Sequence, residues 1–412
     1  MDIIIGAGAT GLTYASLTSN DYLIVEVDQE IGGYCKTIKQ DGFVWDYSGH
    51  FFHFRHPELE KYICQYIKSD TLLKCHKHTQ ILYKGKYIDF PFQKNIHQLE
   101  KDEFIDCLYD LFNNPYTESS NFCEMLYSKF GKSIAEKFLI PYNQKLYACN
   151  LNDLDPNAMG RFFPYANKEE IIANFKNHTT KSYNESFTYP KGGAVEYINS
   201  LYHRIDPSKV SLKEAVVSID LKEHTLQTNK RSLKFDRLIS TIPFPVLLDL
   251  CKIEYDKSIY TWNQVLVFNL GFDSKGNDTI NNWIYLPDQN LSFYRVGYYD
   301  NIFGTDRMSL YVELGFYKDA EIDVDKWFRR VLSDLKTCGI VSTQNLVSSH
   351  HVIMNPAYVH ITERSLQDVM DKKRILEAFD VYSIGRYGSW TYCSIEDGMV
   401  EASGLYQKFK QE

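Results

Sequence analysis

Short apolar runs and glycines alternate at the start of the chain. Residues 3–5 form a β-branched run that passes directly into a G-x-G-x-x-G pattern at Gly6, Gly8 and Gly11. The next segment, LTYASLTS, continues as a helix, and DYLIVEVD supplies a second apolar run. The pattern predicts a strand, a tight turn, a helix and a second strand, which together form the βαβ start of a parallel sheet.

The pattern changes twice farther along the chain. HPELEKYICQYI predicts a helix, and TQILYKGKYIDFPF predicts a hairpin that turns at residues 84–86. Apolar positions spaced three and four residues apart predict helices from about 95 to 177, whereas strands dominate from 207 to about 352. The last 30 residues predict a strand, a glycine-rich turn and a helix that runs to the terminus.

These elements predict an α/β (α+β multidomain) fold in which a Rossmann-type domain is interrupted by two inserted units. A chain of 412 residues is too long for one typical core, so two or three domains are expected. We assign the discontinuous nucleotide-binding domain to 1–68, 186–240 and 355–412, a helical domain to 95–178, and an antiparallel sheet domain that takes the substrate to 69–94 and 241–354.

The glycine pattern has a chemical reading at each position. The first glycine permits the turn, the second lets the backbone approach a phosphate, and the third lets helix and strand pack closely. Glu26 ends the second strand, 20 residues after Gly6. This is the spacing expected of an acid that hydrogen-bonds a ribose hydroxyl. The segment therefore predicts a site for a dinucleotide.

A second pair of glycines indicates which dinucleotide cofactor the site binds. Gly32 and Gly33 directly follow the second strand, and a nicotinamide site does not require them. They resemble the sequence at this point in flavoproteins of the amine-oxidase and glutathione-reductase kind, which implies FAD. The glycine-rich turn near the C-terminus is expected to return to the same cofactor and to direct a second helix N-terminus at it.

Composition and charge exclude several classes of partner. A formal net charge of −8 argues against nonspecific binding to nucleic acid or to an anionic membrane. No apolar run approaches the ~18 residues of a membrane-spanning helix, and the first strand leaves no room for a signal peptide. The nine cysteines are scattered, and the CHKH segment at 75–78 lacks a second cluster, so we expect free thiols, no metal and a cytoplasmic location.

Five further stretches carry a specific family resemblance: GHFFH (49–53), FPFQKNI (90–96), IPYNQKLYACN (140–150), NLSFYR (290–295) and GRYGSWTY (385–392). In this order they resemble the UDP-galactopyranose mutase family, and the likeness runs from Met1 to the C-terminal helix. The resemblance implies a pyranose–furanose mutase of a nucleotide sugar that works through a reduced-flavin N5–sugar adduct. It also implies FAD that is active when reduced, with NADPH or NADH as the reductant.

The resemblance also implies roles for individual residues. Arg161 and Arg295 would hold the departing diphosphate, for which arginine is suited by its charge-assisted, often bidentate contacts. His50 would lie beside the flavin. The implied substrate contacts are Phe92, Gln93, Asn143, Tyr147, Asn184, Tyr285, Tyr358 and Tyr392. The implied cofactor contacts are Gly6, Gly8, Gly11, Glu26, Gly32, Gly33, Gly49 and Arg386.

At three positions the sequence differs from the family, and these differences leave the identity of the substrate sugar undetermined. Phe90 replaces a tyrosine, Tyr147 replaces a tryptophan beside the sugar, and His53 stands where the eukaryotic-type enzymes have phenylalanine. A hydroxyl gained or lost in a hydrogen-bonding pocket changes selectivity by orders of magnitude. UDP-galactose, its N-acetyl or deoxy relatives and other nucleotide sugars all remain as substrates.

Two other functions stay open at this point, as does assembly into a homo-oligomer. One is an FAD-dependent oxidoreductase of the amine-oxidase or protoporphyrinogen-oxidase kind. The other is a flavin-carrying protein that binds a nucleotide sugar without turning it over. An oxidase would consume oxygen with its substrate, whereas a mutase needs a reductant only to prime the flavin.

Overall fold

The structure, a computed structural model, describes residues 1–177 and 185–411. Its strands, in chain order, are β1 Asp2–Ile5, β2 Tyr22–Val25, β3 Thr37–Gln40, β4 Phe43–Asp46, β5 Leu72–His76, β6 Thr79–Tyr83, β7 Lys86–Asp89, β8 Ser186–Pro190, β9 Val210–Ser211, β10 Val216–Asp220, β11 Thr225–Thr228, β12 Ser232–Lys234, β13 Arg237–Ser240, β14 Asn263–Phe272, β15 Trp283–Tyr285, β16 Arg295–Tyr298, β17 Ser309–Tyr317, β18 Leu346–Met354 and β19 Val381–Ser383.

The helices complete the element order. They are α1 Ala9–Leu17, α2 Pro57–Cys64, α3 Lys101–Phe112, α4 Phe122–Ile134, α5 Ile140–Tyr147, α6 Lys168–Asn177, α7 Val195–Tyr202, α8 Phe244–Leu250, α9 Tyr299–Phe303, α10 Val324–Thr337, α11 Glu363–Glu377, α12 Gly385–Gly388 and α13 Ile395–Gln411. A π-helical turn, Ala135–Leu139, joins α4 to α5. Within the described residues, none of these helices combines the length and the apolar character needed to cross a bilayer.

A parallel sheet of order β19-β13-β1-β2-β9 builds the nucleotide-binding half. Every residue of β1 is buried, because both faces of the sheet are covered. Ile4 packs with residues of α1, α7 and α13 on one face, and Ile3 and Ile5 join a core with residues of β10, β11 and α8 on the other. The pairing brings together strands from residues 2, 210, 237 and 381 of the chain. The Rossmann-type sheet is therefore assembled from distant segments, with the remaining elements inserted between them.

A second sheet, of order β18-β14-β17-β16-β15-β6-β7, is mainly antiparallel. All ten residues of β14 are buried, which requires cover on both faces. Leu266, Phe268 and Leu270 pack with Val331 and Leu335 of α10 on one face. The alternate residues of β14, Val265 and Val267, join a core that holds Phe43, Trp45 and Tyr311 on the other face. That second face borders the cavity described below.

The segment predicted to be helical contains α3, α4, α5 and α6, and its packing differs from that of the sheets. Phe122, Leu126 and Phe130 repeat at helical spacing along α4, and Ile134 follows a break in the helix at Gly131, whose φ is +74°. All four apolar residues are fully buried. They belong to the largest apolar cluster, which reaches the edge of the antiparallel sheet at Ile81 and Ile88. The helices are thus fused to the sheet by a continuous core.

Two segments lie elsewhere than the sequence assignment placed them. Strand β5 was assigned to the antiparallel sheet with β6 and β7, but it pairs with β8 in a separate two-stranded sheet. Residues 241–250, also assigned to that sheet, form a turn and α8 at the nucleotide end, where Thr241 and Val246 line the cavity. The apolar pattern does not show where β5 pairs, because it identifies a strand without identifying the neighbouring strand. It also does not show on which side of the domain boundary residues 241–250 lie.

Candidate functional site

A cavity of about 720 Å³ runs from the glycine turn of the parallel sheet to the face of the antiparallel sheet. One end, the nucleotide end, is lined by Gly6, Gly8, Glu26 and Gly33. The other end, the reaction end, is lined by Arg161, His50, Arg295, Tyr285, Tyr358, Arg386 and Tyr392. Residues predicted to bind the cofactor, to bind the substrate and to act in catalysis therefore line the same cavity. Some of the predicted substrate contacts lie outside it and are described below.

The turn at the nucleotide end depends on two glycines. Gly6 has a φ of +104°, and a Cβ there would lie 2.3 Å from the Thr241 hydroxyl oxygen. At Gly11 a Cβ would lie 2.1 Å from the carbonyl oxygen of Gly6, closer than any side chain allows. A Cβ at Gly8, in contrast, would meet nothing within 4 Å. Gly8 also precedes α1 and no side chain caps it, so the amide groups of that helix N-terminus face the cavity end.

Glu26 fixes the loop that surrounds this end. Its carboxylate accepts hydrogen bonds from the Ala7 amide at 2.7 Å and from the Asp28 amide at 2.9 Å. These bonds use one lone pair of each oxygen, and the residue also lines the cavity. Glu26 can therefore hold the glycine turn in shape and still accept a hydrogen bond from a ribose hydroxyl.

Arg295 is the centre of the reaction end, and it is not a free cation. It lies on β16 directly opposite Glu313 on β17, and the two form a bidentate pair with N–O distances of 2.8 and 2.6 Å. The Glu313 side chain is fully buried, whereas that of Arg295 keeps 18% of its exposure. The hydroxyl of Ser48 also donates to Glu313. Arg295 is thus held in one orientation with its charge already partly neutralised.

Arg161 also has a carboxylate partner. Its Nη2 donates to both Asp397 oxygens, at 2.8 and 2.7 Å, and to the Ser394 hydroxyl at 3.3 Å. The Asp397 carboxylate is shared with Arg55, whose Nη2 lies 2.7 Å from Oδ1. The pair joins the helical segment to the N-terminus of α13 at the wall of the cavity.

Arg386 has a different environment from the other two arginines. Its Nη1 donates to the Cys393 carbonyl at 2.8 Å, and its Nε is buried without a partner in the described part of the chain. The guanidinium lies 5.2 Å from the ring of Tyr358 and 5.1 Å from the ring of Tyr392. Those two rings stack 5.6 Å apart. The positive charge of Arg386 therefore lies in the cavity beside aromatic rings and not beside a carboxylate.

His50 lies in the cavity wall between Ser48 and the arginines. Burial lowers the pKa of His50 to about 4; the charge of Glu313 opposes this shift, and the charges of Arg386 and Arg295 add to it. The imidazole is therefore neutral near pH 7, with one nitrogen able to donate and one able to accept. Its Nδ1 is buried and has no hydrogen-bond partner among the described residues.

Four expected substrate contacts lie outside the cavity, enclosed between the helices and the sheet. Phe92 is fully buried and stacks on Phe138 with ring centres 5.1 Å apart, so the expected open face for a base is absent in this structure. Gln93 donates to the Pro164 carbonyl, and Asn143 donates to the carbonyl of Leu139, in the π-helical turn before its helix, at 2.7 Å. Tyr147 is fully buried. The fifth, Asn184, lies outside the described residues.

The enclosed polar residues are incompletely paired. Gln93 Oε1, Asn143 Oδ1 and the Tyr147 hydroxyl are buried without a hydrogen-bond partner in the described part of the chain. Buried polar atoms are normally paired, because leaving one unpaired costs about 1–3 kcal/mol. The cover over Gln93 is Pro164, three residues after Arg161. These three atoms are therefore enclosed in this structure, and none of their residues lines the cavity.

Sequence reasoning missed the acids that hold the arginines. Glu313 stands in the apolar strand MSLYVELGFY, and an acid at the centre of such a strand is itself a signal, since a buried carboxylate requires a partner. Asp397 follows Ser394 by three residues, which is the spacing of a helix N-terminal capping box. Neither signal identifies the arginine, because the partner of Asp397 is 236 residues away.

The residues present fit a flavin dinucleotide. The open space beside Gly8 and the uncapped start of α1 suit a pyrophosphate, and Glu26 suits a ribose. At the other end, His50 Nδ1 and Arg386 Nε are buried nitrogens that lack partners among the described residues and line the same cavity. They can take up the polar atoms of an isoalloxazine ring. No group of three His, Cys, Asp or Glu side chains in the described ranges could hold a metal ion.

Comparison with known proteins places the chain in a family. The sequence profile described as "Flavin containing amine oxidoreductase" matches residues 8–353, so the chain belongs to this flavin-dependent family. The fold is similar to that of a reduced UDP-galactopyranose mutase, with a TM-score of 0.90 and 22% identity over 98% of this chain and 95% of that one.

Two oxidases have the same fold at lower similarity. A putative protoporphyrinogen oxidase from Exiguobacterium sp. 255-15 aligns with a TM-score of 0.79 and 16% identity, over 100% of this chain and 98% of that one. Cyclohexylamine oxidase from Brevibacterium oxydans IH-35A aligns with a TM-score of 0.68 and 14% identity, over 99% of each chain. At these identities the likeness establishes the fold, and function has to be argued from the site.

The contrast between Gly8 and Gly11 gives a matched pair of variants. Gly11→Ala places a methyl group against the Gly6 carbonyl, so we expect a loss of about 1–3 kcal/mol in unfolding free energy with or without flavin. Gly8→Ala has room in the absence of ligand, so we expect unchanged stability of the apoprotein and weaker FAD binding. Thermal denaturation and flavin titration measure both. Equal FAD affinity in Gly8→Ala and the parent would contradict the assignment of the nucleotide end.

The neutral state of His50 predicts a pH dependence of stability. The pKa of His50 is about 4 in the folded protein and ordinarily about 6.5, so unfolding takes up a proton between these values. Stability is therefore present above pH 6.5 and is lost as the pH falls toward 4, with a slope of at most about 1.4 kcal/mol per pH unit. His50→Asn should reduce that slope in melting experiments on the apoprotein. Identical pH profiles for the parent and His50→Asn would rule out this titration.

Proposed function

We propose that this flavin-family protein is a mutase that interconverts the pyranose and furanose forms of a nucleotide sugar, with UDP-galactose or a close relative as substrate. The observation that supports it most directly is the composition of the reaction end. Two arginines, Arg161 and Arg295, line the same space as the tyrosines Tyr285, Tyr358 and Tyr392, and the cofactor contact Arg386 lines the same cavity. This set of donors favours a diphosphate, which presents several anionic oxygens over a short distance.

The same charges argue against an amine as substrate. An amine is cationic near neutral pH, and a guanidinium group without a carboxylate partner opposes its entry. Arg295 and Arg161 have carboxylate partners, but among the described residues no carboxylate pairs with Arg386. Protoporphyrinogen carries anionic groups and is therefore not disfavoured by charge. Oxygen consumption separates that oxidase function from a mutase.

In the proposed reaction the sugar is isomerised and no electrons are lost overall. A reduced flavin, when bound, supplies a nucleophilic nitrogen for the anomeric carbon, and NADPH or NADH is the proposed source of its electrons. Arg295 and Arg161 stabilise the diphosphate while its bond to that carbon is broken and later re-formed, when its charge is greatest. The neutral phenols donate hydrogen bonds to diphosphate or sugar oxygens without adding charge. Neutral His50 fixes the polar edge of the cofactor.

A direct assay tests the proposal. The purified flavoprotein, reduced with dithionite under anaerobic conditions, is incubated with UDP-galactopyranose and then with a panel of UDP- and dTDP-sugars. Anion-exchange chromatography should reveal a new nucleotide sugar of unchanged mass with at least one of them. Oxygen uptake with an amine or a porphyrinogen, together with no isomerisation of any nucleotide sugar, would overturn the proposal.

Substitution of Arg295 tests the diphosphate contact, and its partner Glu313 determines which variant is informative. Arg295→Ala leaves a fully buried carboxylate unpaired, which costs roughly 3–5 kcal/mol and confounds the result. Arg295→Lys keeps the charge but loses the planar fork. We expect it to retain flavin and to lower kcat/KM on the order of a hundredfold, equivalent to ~3 kcal/mol.

A double variant provides the control for folding. Arg295→Met combined with Glu313→Gln removes both charges together, so it avoids an unpaired buried ion. We expect it to bind FAD and melt near the parent temperature while lacking measurable isomerisation. Turnover at the parent rate in either the lysine or the double variant would show that Arg295 does not contact the reacting diphosphate.

A further inference from the structure

The pair of Arg161 and Asp397 is more exposed than the other arginine–carboxylate pair that the reaction end contributes, Arg295 and Glu313. The Arg161 side chain keeps 33% of its exposure and that of Asp397 keeps 23%, compared with 18% and 0% for Arg295 and Glu313. One guanidinium nitrogen of Arg161 reaches both carboxylate oxygens. A partly exposed pair of this kind is weak enough to be exchanged for another anion.

Asp397 is fixed independently of Arg161. The amide and hydroxyl of Ser394 each donate to Oδ2 at 2.8 Å, and the Asp397 amide returns a bond of 3.2 Å to that hydroxyl. This reciprocal arrangement caps the start of α13. Burial raises the pKa of Asp397, but the bonds from Ser394 and Arg161 outweigh it and keep the pKa below its ordinary value. The carboxylate is therefore ionised and stationary at neutral pH.

Arg161 lies on a short turn at the wall of the cavity. Gly160–Phe162 is a single short 3₁₀ turn, and around Gly160 there is open space. Besides Asp397 and Ser394, the Arg161 guanidinium lies 4.1 Å from the centre of the Phe162 ring. The same segment continues to Pro164, whose carbonyl accepts a hydrogen bond from Gln93. The hydrogen bonds of the Arg161 guanidinium within the described residues are thus made to Asp397 and Ser394.

A carboxylate and a phosphate edge offer a guanidinium similar pairs of oxygens. Arg161 and Ser394 both line the cavity, so an entering diphosphate meets an arginine whose charge is already paired with Asp397 and whose Nη2 is already occupied. We infer that Asp397 is a positioning residue that holds Arg161 beside the cavity as an internal substitute for the substrate diphosphate, and that it lowers the affinity for nucleoside diphosphates by competing for that arginine. This inference rests on the proposed function.

The charge of Asp397 can be removed without removing its cap. Asp397→Asn keeps an oxygen that can accept from Ser394, and it leaves Arg161 and Arg55 without their shared anion. We expect the Kd for UDP to fall about fivefold, the effect of one partly exposed ion pair. Titration of the oxidised flavoprotein with UDP, followed by calorimetry and by the flavin absorbance, measures it. Asp397→Ser serves as the second variant if Asn impairs folding.

Two controls separate competition from a general effect of charge or structure. Asp371→Asn removes one carboxylate from an exposed pair with Arg374 on α11, and it should leave UDP affinity unchanged. Arg161→Ala should weaken UDP binding, and adding Asp397→Asn to it should give no gain. A double-mutant cycle of this kind isolates the coupling between Asp397 and Arg161.

The outcomes distinguish this inference from the function on which it rests. If the parent does not bind UDP, the proposed function fails and the inference fails with it. If UDP binds the parent and Arg161→Ala weakens it, the proposed function stands. In that case an unchanged or higher Kd in both Asp397 variants overturns the competition, as does an equal gain in Asp371→Asn or in the Arg161→Ala background.

Discussion

The buried pair of Glu313 and Arg295 is the constraint on which the reaction end depends. A fully buried carboxylate is tolerated only with a well-aligned partner, and the register of β16 against β17 places the two residues directly opposite each other. Ser48 donates to the same carboxylate and lies two residues before His50. The pair therefore ties the loop beside the cofactor space to the antiparallel sheet, and a shift in register would disrupt both.

At the nucleotide end, the shape of the site depends on close packing of the backbone and not on paired charges. The first helix approaches the first strand so closely that only glycine fits at Gly11, and the C-terminal helix approaches the same helix through Gly398, where a Cβ would lie 2.5 Å from the Thr10 hydroxyl oxygen. Two helices of the chain, one at each end of the sequence, are thus fixed next to the glycine turn. This explains how a discontinuous domain forms a single site for a dinucleotide.

Local features of the sequence account for what could be predicted. The glycine turn, Glu26 and the hairpin at Lys84–Gly85 depend on residues near one another in the chain, and the structure contains each of them. The pairing of Arg295 with Glu313 depends on strand register, and that of Arg161 with Asp397 on a contact across the fold. Phe92 shows the same limit, since an aromatic residue in a binding motif and one in a core have the same local pattern.

The two arginines expected to act together are consequently held in different ways. Arg295 is fixed by a buried acid within a sheet, so its donors keep their direction whether or not a substrate is present, as preorganised stabilisation of a developing charge requires. Arg161 is partly exposed, lies on a short turn and is held by an acid on a separate helix. In the proposed reaction, a fixed donor would suit the stabilisation of the departing diphosphate, and an exchangeable donor would suit its entry. The sequence presents these residues as equivalent cations, and their acidic partners make them different.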